Sequence, residues 1–290
     1  DNAGTVSFYR ANSSIQGAYT SQPNSLLNIQ GDVSYNAALT MGSGFTNHGE
    51  LRLQQNGYYY LNGHKTATFT ITNGQLINAS DGLINITGAN GYRYLNAELI
   101  NEGTMDVAYG LNLGDNESAH INTGTINITG GNLSVNQAAS GTPSFTNDGD
   151  INIGGGRTMT VTNGAFASQS GAIQGTGALS FSSCTANFPI DLPDVVQVYV
   201  ASSMNGADLH ALKNISMNTS AINATSFDFP AGATLTLNGN NTINPPMTNA
   251  GVVNTYAGNI WVSDLDNAGT VSFYRANSSI QGAYTSQPNS

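Results

Sequence analysis

The opening stretch of the chain, Asp1 to Ser25, returns letter for letter as Asp266 to Ser290. Neither chance nor functional constraint keeps every surface position of such a stretch fixed, so the simplest cause is a gene built from near-identical tandem units. The fold must therefore allow one unit to follow another. We divide the chain into one complete unit, residues 1–265, and the start of the next identical unit, residues 266–290. We expect an extended, repeated, extracellular structural protein.

Composition narrows the kind of protein further. Charged residues make up only 8 % of the chain, so solubility must come from Asn, Thr, Ser and Gly, and there are 38 Asn and 34 Gly. Ordinary soluble domains carry about 25 % charged residues. The formal net charge of −10 argues against nucleic acid and anionic membrane surfaces as partners, because both need basic patches. No apolar run approaches the roughly 20 residues of a membrane span, so we expect no membrane insertion of this segment.

The single cysteine, Cys184, excludes an intrachain disulfide framework. One thiol in each unit is typical of a small buried apolar residue, and a link to a neighbouring chain is the alternative. The four histidines show no ligand spacing, and we expect no cofactor.

A short motif recurs inside the unit: Asn-x-Gly, followed by two apolar residues separated by one residue. Asn and Gly adopt left-handed backbone angles most cheaply, so Asn-x-Gly predicts a sharp turn. The alternating apolar pair, for example Leu51 with Leu53, predicts a strand with one buried face. The predicted structural turn residues are Asn2, Gly4, Asn47, Gly49, Asn101, Gly103, Asn122, Gly124, Asn147, Gly149, Asn249, Gly251, Asn267 and Gly269.

Successive motifs start 45, 54, 21, 25, 102 and 18 positions apart, and these intervals approximate multiples of an 18–25-residue step. A step of that size, with two or three short strands and their turns, is the signature of a β-solenoid coil. Stacking places like residues about 4.8 Å apart, and stacked Asn side chains can form amide ladders along the axis. The sequence therefore predicts an all-β protein, a β-solenoid or parallel β-helix, with about 13 coils and about 60 Å per 265-residue unit.

From Cys184 to about Phe229 the motif is absent. Two interpretations stay open for residues 184–229: a set of irregular coils, which we favour, or a protruding excursion where one unit packs on another. Pro230 and the pair Pro245-Pro246 are predicted at turns, since proline cannot donate to an internal ladder.

Three segments, Phe45–Leu51, Phe145–Ile151 and Met247–Gly251, share the string apolar-Thr-Asn-x-Gly. This string resembles the β-helical repeats of large bacterial surface proteins, namely filamentous-haemagglutinin-type exoproteins and autotransporter passenger domains. The resemblance covers about two thirds of the chain and fades between Cys184 and Phe229. It implies a right-handed coil and an exported bacterial protein at the cell surface. It also implies a role as an adhesin, a biofilm component or a stalk.

β-Helices also host polysaccharide lyases and hydrolases. Such sites need clustered carboxylates, often with a basic residue beside them, whereas the acidic residues here are thinly spread and the seven basic residues are scattered. We therefore predict that the chain is not an enzyme and assign no catalytic residue. Asp148 and Asp150 are weak candidates for calcium ligands. Turn chemistry explains the run Asn-Asp-Gly-Asp without a metal, so we predict no metal site.

A run of tyrosines offers one ligand face. Residues 58–60 are all tyrosine on a predicted strand, so Tyr58 and Tyr60 share one face. Aromatic faces suit sugar rings, although aromatic stacking inside the solenoid explains the run equally well.

We therefore expect a structural repeat segment of a giant bacterial cell-surface filament or adhesin stalk, acting as a stiff rod in surface attachment, cell-cell contact or biofilm. The alternative is a glycan- or protein-binding module on a β-helix, and a polysaccharide lyase or hydrolase ranks below it. The expected partners are neighbouring repeats of the same chain, other copies laterally or end to end, and glycans.

Overall fold

The structure is a computed structural model that describes residues 1–56, 65–114, 118–138, 144–188, 192–211, 213–274 and 276–287. Within these ranges the regular structure is entirely β, with no helix. In chain order the strands are β1 Thr5–Tyr9, β2 Asn12–Ile15, β3 Leu26–Asp32, β4 Ala37–Met41, β5 Phe45–Asn47, β6 Glu50–Asn56, β7 Thr66–Asn78, β8 Leu83–Gly88, β9 Tyr92–Asn101, β10 Thr104–Val107, β11 Leu111–Gly114, β12 Ala119–Asn122, β13 Thr125–Ile128, β14 Leu133–Asn136, β15 Ser144–Asn147, β16 Asp150–Ile153, β17 Thr158–Thr162, β18 Ala165–Ser168, β19 Ile173–Ser182, β20 Thr185–Phe188, β21 Asp194–Ala201, β22 Ser203–Gly206, β23 Asp208–His210, β24 Asn214–Asn218, β25 Ala221–Asn223, β26 Ser226–Phe229, β27 Thr234–Asn238, β28 Asn241–Ile243, β29 Met247–Asn249, β30 Val252–Thr255, β31 Gly258–Val262, β32 Leu265–Asn267, β33 Thr270–Phe273, β34 Ala276–Ile280 and β35 Tyr284–Ser286.

The strands stack in parallel on three faces, which the chain visits in the same order in every coil. Face one is formed by β1, β3, β6, β8, β10, β13, β16, the starts of β19 and β21, and then β23, β26, β29, β32 and β35. Face two is formed by β2, β4, the starts of β7 and β9, β11, β14, β17, the ends of β19 and β21, β24, β27, β30 and β33. Face three is formed by β5, the ends of β7 and β9, β12, β15, β18, β20, β22, β25, β28, β31 and β34.

Period-two alternation of the sequence puts one side of every strand into a continuous interior. In β6, Leu51 and Leu53 are fully buried while Arg52 between them faces outward. Stacking in register then builds apolar columns along the axis, because each inward residue pairs with an inward residue of the next coil. One such column consists of Leu27, Leu51, Ile84, Met105, Ile126, Ile151 and Ile173, all buried.

Counting strands on face one gives twelve coils between β1 and β32. The β-solenoid prediction is confirmed, with about 12 coils in place of the 13 expected from the motif spacing. The coils differ in length nearly twofold: the shortest step joins the paired residues Gln197 and Asn214, and the longest joins Glu50 and Leu83. The longest step contains residues 57–64, and because of this variation an 18–25-residue step sets the number of coils only approximately.

The motif-free segment, residues 184–229, stacks like the rest of the rod where the structure describes it. Strands β20, β22 and β25 follow one another on face three. On their outer side Asn205 donates to Asn187 at 3.1 Å, and Asn223 donates to Asn205 at 2.9 Å. Pro230 lies between β26 and β27, and Pro245-Pro246 between β28 and β29, at turns as predicted.

The two copies of the repeated sequence, Asp1–Ser25 and Asp266–Ser290, fold into the same coil on different faces. Asn2 bridges Ser21 in the first copy, and Asn267 pairs with Ser286 in the second. The Gln22 N–H donates to the Asn2 carbonyl at 2.9 Å, as the Gln287 N–H donates to the Asn267 carbonyl at 2.8 Å. However, β1 lies on face one whereas its copy β33 lies on face two, and β2 lies on face two whereas its copy β34 lies on face three. One 265-residue unit therefore spans twelve and one-third coils.

Candidate functional site

The most elaborate polar arrangement in the rod is the turn from face three to face one, which we call the asparagine corner. It is formed by asparagines that close strands of face three: Asn47, Asn78, Asn101, Asn122 and Asn147, all at most 1 % exposed. The first four side-chain amides each donate to the amide oxygen of the asparagine in the next coil, at 2.9 Å from Asn47 to Asn78, 2.8 Å from Asn78 to Asn101, and 2.7 Å for the next two steps. The Ser21 hydroxyl donates to Asn47 at 3.0 Å and begins the ladder.

The same amide groups also satisfy the backbone of the turn. The amide of Asn147 donates to the carbonyl of Gly149 at 3.0 Å, and that of Asn47 to the carbonyl of Gly49 at 3.0 Å. Buried polar groups cost free energy unless they are paired. Here each side-chain amide is hydrogen-bonded to an asparagine of a neighbouring coil and also to a backbone carbonyl of its own turn. The ladder is thus a structural device that closes one corner of the rod with hydrogen bonds among the chain's own groups.

Six of the seven motif glycines, all except Gly4, are required for a reason that differs from the sequence prediction. None of the motif asparagines or glycines has a positive φ, so the expectation of a left-handed backbone at these turns is wrong. Close stacking is the cause instead. A Cβ added to Gly149 would lie well inside 3.0 Å of the carbonyl oxygen of Gly124, and one added to Gly124 would meet the carbonyl of Gly103 in the same way. Those carbonyls accept the first strand N–H of the next coil, for example the Asp150 N–H at 2.8 Å from Gly124.

The ladder changes corner once along the unit. In the first part of the unit the Asn-x-Gly turn leads from face three to face one, as at Asn147, which ends β15 and precedes β16. At Asn249 and Asn267 the same motif leads from face one to face two, and the Asn249 amide donates to Asn267 at 2.7 Å. The change falls between Ser168 and Asn249, a stretch that includes the motif-free residues 184–229. This one-corner displacement accounts for the extra third of a coil in the unit.

Sequence reasoning missed two buried polar residues, one in the asparagine corner and one at the turn from face one to face two. Asn78 stands in the ladder although its glycine, Gly82, is four residues away instead of two; the signal was an Asn that ends one apolar strand before another, Leu83–Gly88, begins. Arg93, at 1 % exposure, occupies an inward position of β9. Its guanidinium donates to the carbonyls of Thr87 at 3.1 Å and of Gln55 at 2.8 Å. Burial lowers the pKa of Arg93 to about 10, so it stays charged at neutral pH.

His120 takes the position of a large apolar residue in the interior. It is fully buried, pairs with Phe145 of the next coil, and its Nδ1 accepts the Leu99 N–H at 3.2 Å. An accepting Nδ1 requires a neutral ring with its proton on Nε2. Burial lowers the pKa of His120 to about 4.

Acid should therefore destabilise the rod through His120. Its folded pKa lies below the unfolded value of about 6.5, so the unfolded chain binds the extra proton and stability falls as the pH drops from 6.5 towards 4. We expect the chain to be roughly 2 kcal/mol less stable at pH 5 than at pH 8, and His120→Phe should flatten this slope. Unfolding by urea at each pH measures it. The slope should persist in His48→Gln, which retains His120; an equal slope in His120→Phe would contradict the assignment.

Cys184 is fully buried, and burial raises the pKa of its thiol to about 12. Only the thiolate reacts readily, so the thiol should not react with iodoacetamide at pH 8 in the folded chain. Mass spectrometry should show modification only after denaturation. Rapid modification under native conditions would instead favour the link to a neighbouring chain.

The weak metal candidates do not form a cluster in the part of the chain that the structure describes. Asp148 lies at the turn beside Ser170, whose hydroxyl is 3.4 Å from its carboxylate, and Asp150 begins β16 with an exposed side chain. Across the described ranges, no group of three His, Cys, Asp or Glu side chains comes together. No helix within those ranges is long and apolar enough to cross a membrane.

Exposed tyrosines lie along the corner between face one and face two. Tyr9, Tyr35 and Tyr109 are 48 %, 55 % and 38 % exposed. The Arg10 guanidinium lies 4.6 Å from the ring centre of Tyr9 and 5.5 Å from that of Tyr35. Arg10 also pairs with Asp32. The predicted ligand face at Tyr58 and Tyr60 lies outside the described residues.

Comparisons of the chain with protein-family models, with curated proteins and with solved structures give no match.

Proposed function

We propose that this chain is a structural repeat segment of a giant bacterial cell-surface filament or adhesin stalk, in which it acts as a stiff rod. The observation that carries the proposal is the second copy of the repeated sequence. It stacks in register on the preceding coil through β32, β33 and β34. The rod therefore runs into the next unit without a linker, which is what a stalk built from tandem units needs.

The mechanical argument follows from the direction of the hydrogen bonds. Strands lie across the rod, so the backbone hydrogen bonds between coils point along its axis. A pulling force loads the bonds of three faces together, and the asparagine ladder adds buried bonds in the same direction. Pairing between successive coils also covers strand edges that would otherwise be exposed, which limits lateral aggregation.

Location at the bacterial surface rests on the resemblance of the motif and is tested on cells. Antibodies raised against the chain should label the outside of intact producing cells in immunogold micrographs, with gold at a distance from the envelope. Deleting the gene should remove the label and weaken attachment or biofilm. Label confined to the cytoplasm of sectioned cells would refute the proposal. A catalytic role is not needed for a rod, and we assign none.

Glycan binding is the second candidate, and the tyrosine corner favours it. Exposed aromatic rings beside Arg10 and Asp32 combine a surface for sugar C–H groups with polar partners. On a glycan array, a bound glycan should be lost with Tyr35→Ala but retained with Tyr199→Ala, which removes a similarly exposed ring on face two. Equal loss in both variants, or no bound glycan, would exclude this corner as the site.

A further inference from the structure

A pair of stacked tyrosines lies at the boundary between the two units. Tyr256 follows β30 and Tyr274 follows β33, so both lie at the corner from face two to face three, in successive coils. Their ring centres are 5.1 Å apart, and the ring planes are inclined by only 9°. The backbone keeps the two residues aligned, because the Tyr274 N–H donates to the Thr255 carbonyl at 2.7 Å.

The contact belongs to the interior of a continuous rod. Tyr256 has stacked coils on both sides, since its N–H donates to the Leu237 carbonyl of the preceding coil, and it is still 44 % exposed. Tyr274 is the counterpart of Tyr9, which has the following coil in place and is 48 % exposed. In a rod of consecutive units, each boundary therefore sets Tyr256 of one unit against Tyr9 of the next.

Other contacts of exposed tyrosines have a different geometry. The ring centres of Tyr92 and Tyr94 are 6.3 Å apart, and their planes are inclined by 46°. Tyr9 and Tyr35 share the Arg10 guanidinium, which lies 4.6 Å and 5.5 Å from their ring centres. Among these contacts, the boundary pair is the one in which two phenol rings are parallel, close and open to solvent.

We propose that Tyr256 and Tyr274 form a site of oxidative cross-linking, at which hydrogen peroxide acting through a peroxidase joins the two rings as dityrosine. Each phenol gives up one electron and its hydroxyl proton. The two radicals form a carbon–carbon bond between ring positions ortho to the hydroxyl groups, and the two ortho hydrogens then move to the oxygens, which restores both phenols. The peroxide takes up the two electrons and two protons and becomes two molecules of water.

The link joins neighbouring coils along the axis of the rod. The two tyrosines are 18 positions apart, so the bond closes a short loop and keeps the coils at a unit boundary together when the hydrogen bonds between them open. Repeated at every boundary, it fastens each unit to the next. This modification goes beyond the proposed function and does not depend on attachment to a surface.

Cleavage before aspartate separates the two rings for the test. Such cleavage leaves Tyr256 as the only tyrosine of peptide 228–263, and places Tyr274 with Tyr284 in peptide 266–290. The folded chain is treated with peroxidase and hydrogen peroxide, and its monomer band is digested. Mass spectrometry should show the two peptides joined, with two hydrogen atoms fewer than their sum. Tyr256→Phe should remove the joined peptide.

Tyr284→Phe is the matched control, because Tyr284 lies in the same peptide as Tyr274 and is 55 % exposed, but pairs with Leu265 on face one. In the folded chain, Tyr274→Phe should lower the yield of the joined peptide at least about tenfold, since groups held together react faster than groups that must meet. Tyr284→Phe should leave the yield unchanged.

Unfolding the chain in urea separates stacking from nearness in sequence. There the Tyr274→Phe and Tyr284→Phe variants should lower the yield to a similar extent, because the two loops that close have similar lengths. Equal losses in the folded chain, no joined peptide, or a joined peptide that persists in folded Tyr274→Phe would overturn the proposal. None of these outcomes changes the proposed role of the rod.

Discussion

Replacing Gly149 by Val should lower the free energy of unfolding by about 3 kcal/mol or more. The added Cβ would collide with the carbonyl oxygen of Gly124, and its next neighbours are the carbonyl carbon of Thr123 and the amide nitrogen of Gly124. All three are backbone atoms. The Gly124 carbonyl accepts the Asp150 N–H of the next coil and the Gly124 N–H donates to the Asn101 carbonyl of the preceding coil, so these atoms cannot move aside as a side chain would. The melting temperature should drop by several degrees.

Gly4→Val is the matched control for this effect. It occupies the same place in the motif, but no atom lies within 4 Å of its added Cβ. Its melting temperature should stay close to that of the unsubstituted chain. If Gly149→Val melts no earlier than Gly4→Val, close stacking is not the reason for the glycine.

Asn122→Leu should cost about 2–4 kcal/mol, because a near-isosteric apolar side chain leaves two buried partners unpaired. Asn122 accepts from the Asn101 amide at 2.7 Å and donates to the Asn147 amide oxygen at 2.7 Å. Interrupting the ladder in mid-rod should lower the melting temperature and speed hydrogen exchange in β12 and β15.

The exposed ladder on face three provides the comparison. Asn223 is also flanked by amide bonds, to Asn205 at 2.9 Å and from Asn244 at 2.6 Å, but these bonds are exposed. Asn223→Leu should change stability by less than about 0.5 kcal/mol, since water replaces the lost partners. Equal destabilisation by both substitutions would show that burial is not what makes the inner ladder matter.

The solenoid and its asparagine ladder could be predicted from the sequence because both depend on short-range pattern. Alternation such as Leu51-Arg52-Leu53 predicts a strand and its inner side, and each Asn-x-Gly predicts a turn between two strands. The sequence analysis attributed the need for glycine to left-handed backbone angles, which is wrong. The actual reason, the close approach of Gly149 to Gly124, depends on the neighbouring coil and not on local backbone preference. Arg93 was missed because its partners, the carbonyls of Gln55 and Thr87, become neighbours only after stacking.

The displacement of the ladder could not be foreseen for a related reason. The length of a coil varies nearly twofold along the rod, so spacing alone does not tell on which face a motif falls. Only the pairing of every strand shows that Asn147 turns onto face one and Asn249 onto face two. Residues 184–229, which lack the motif, lie within the stretch where the corner changes.

A continuous rod of twelve and one-third coils per unit is the central claim, and a chain of two consecutive 265-residue units tests it most directly. Cryo-electron microscopy at a resolution that separates strands about 4.8 Å apart should show one unbroken stack with a rise of about 60 Å per unit. The turn from Asn47 to Glu50 of the second unit should lie one corner further around the rod than that of the first, apart from the twist of the stack. Two rods joined by a hinge, or a whole number of coils per unit, would contradict the claim.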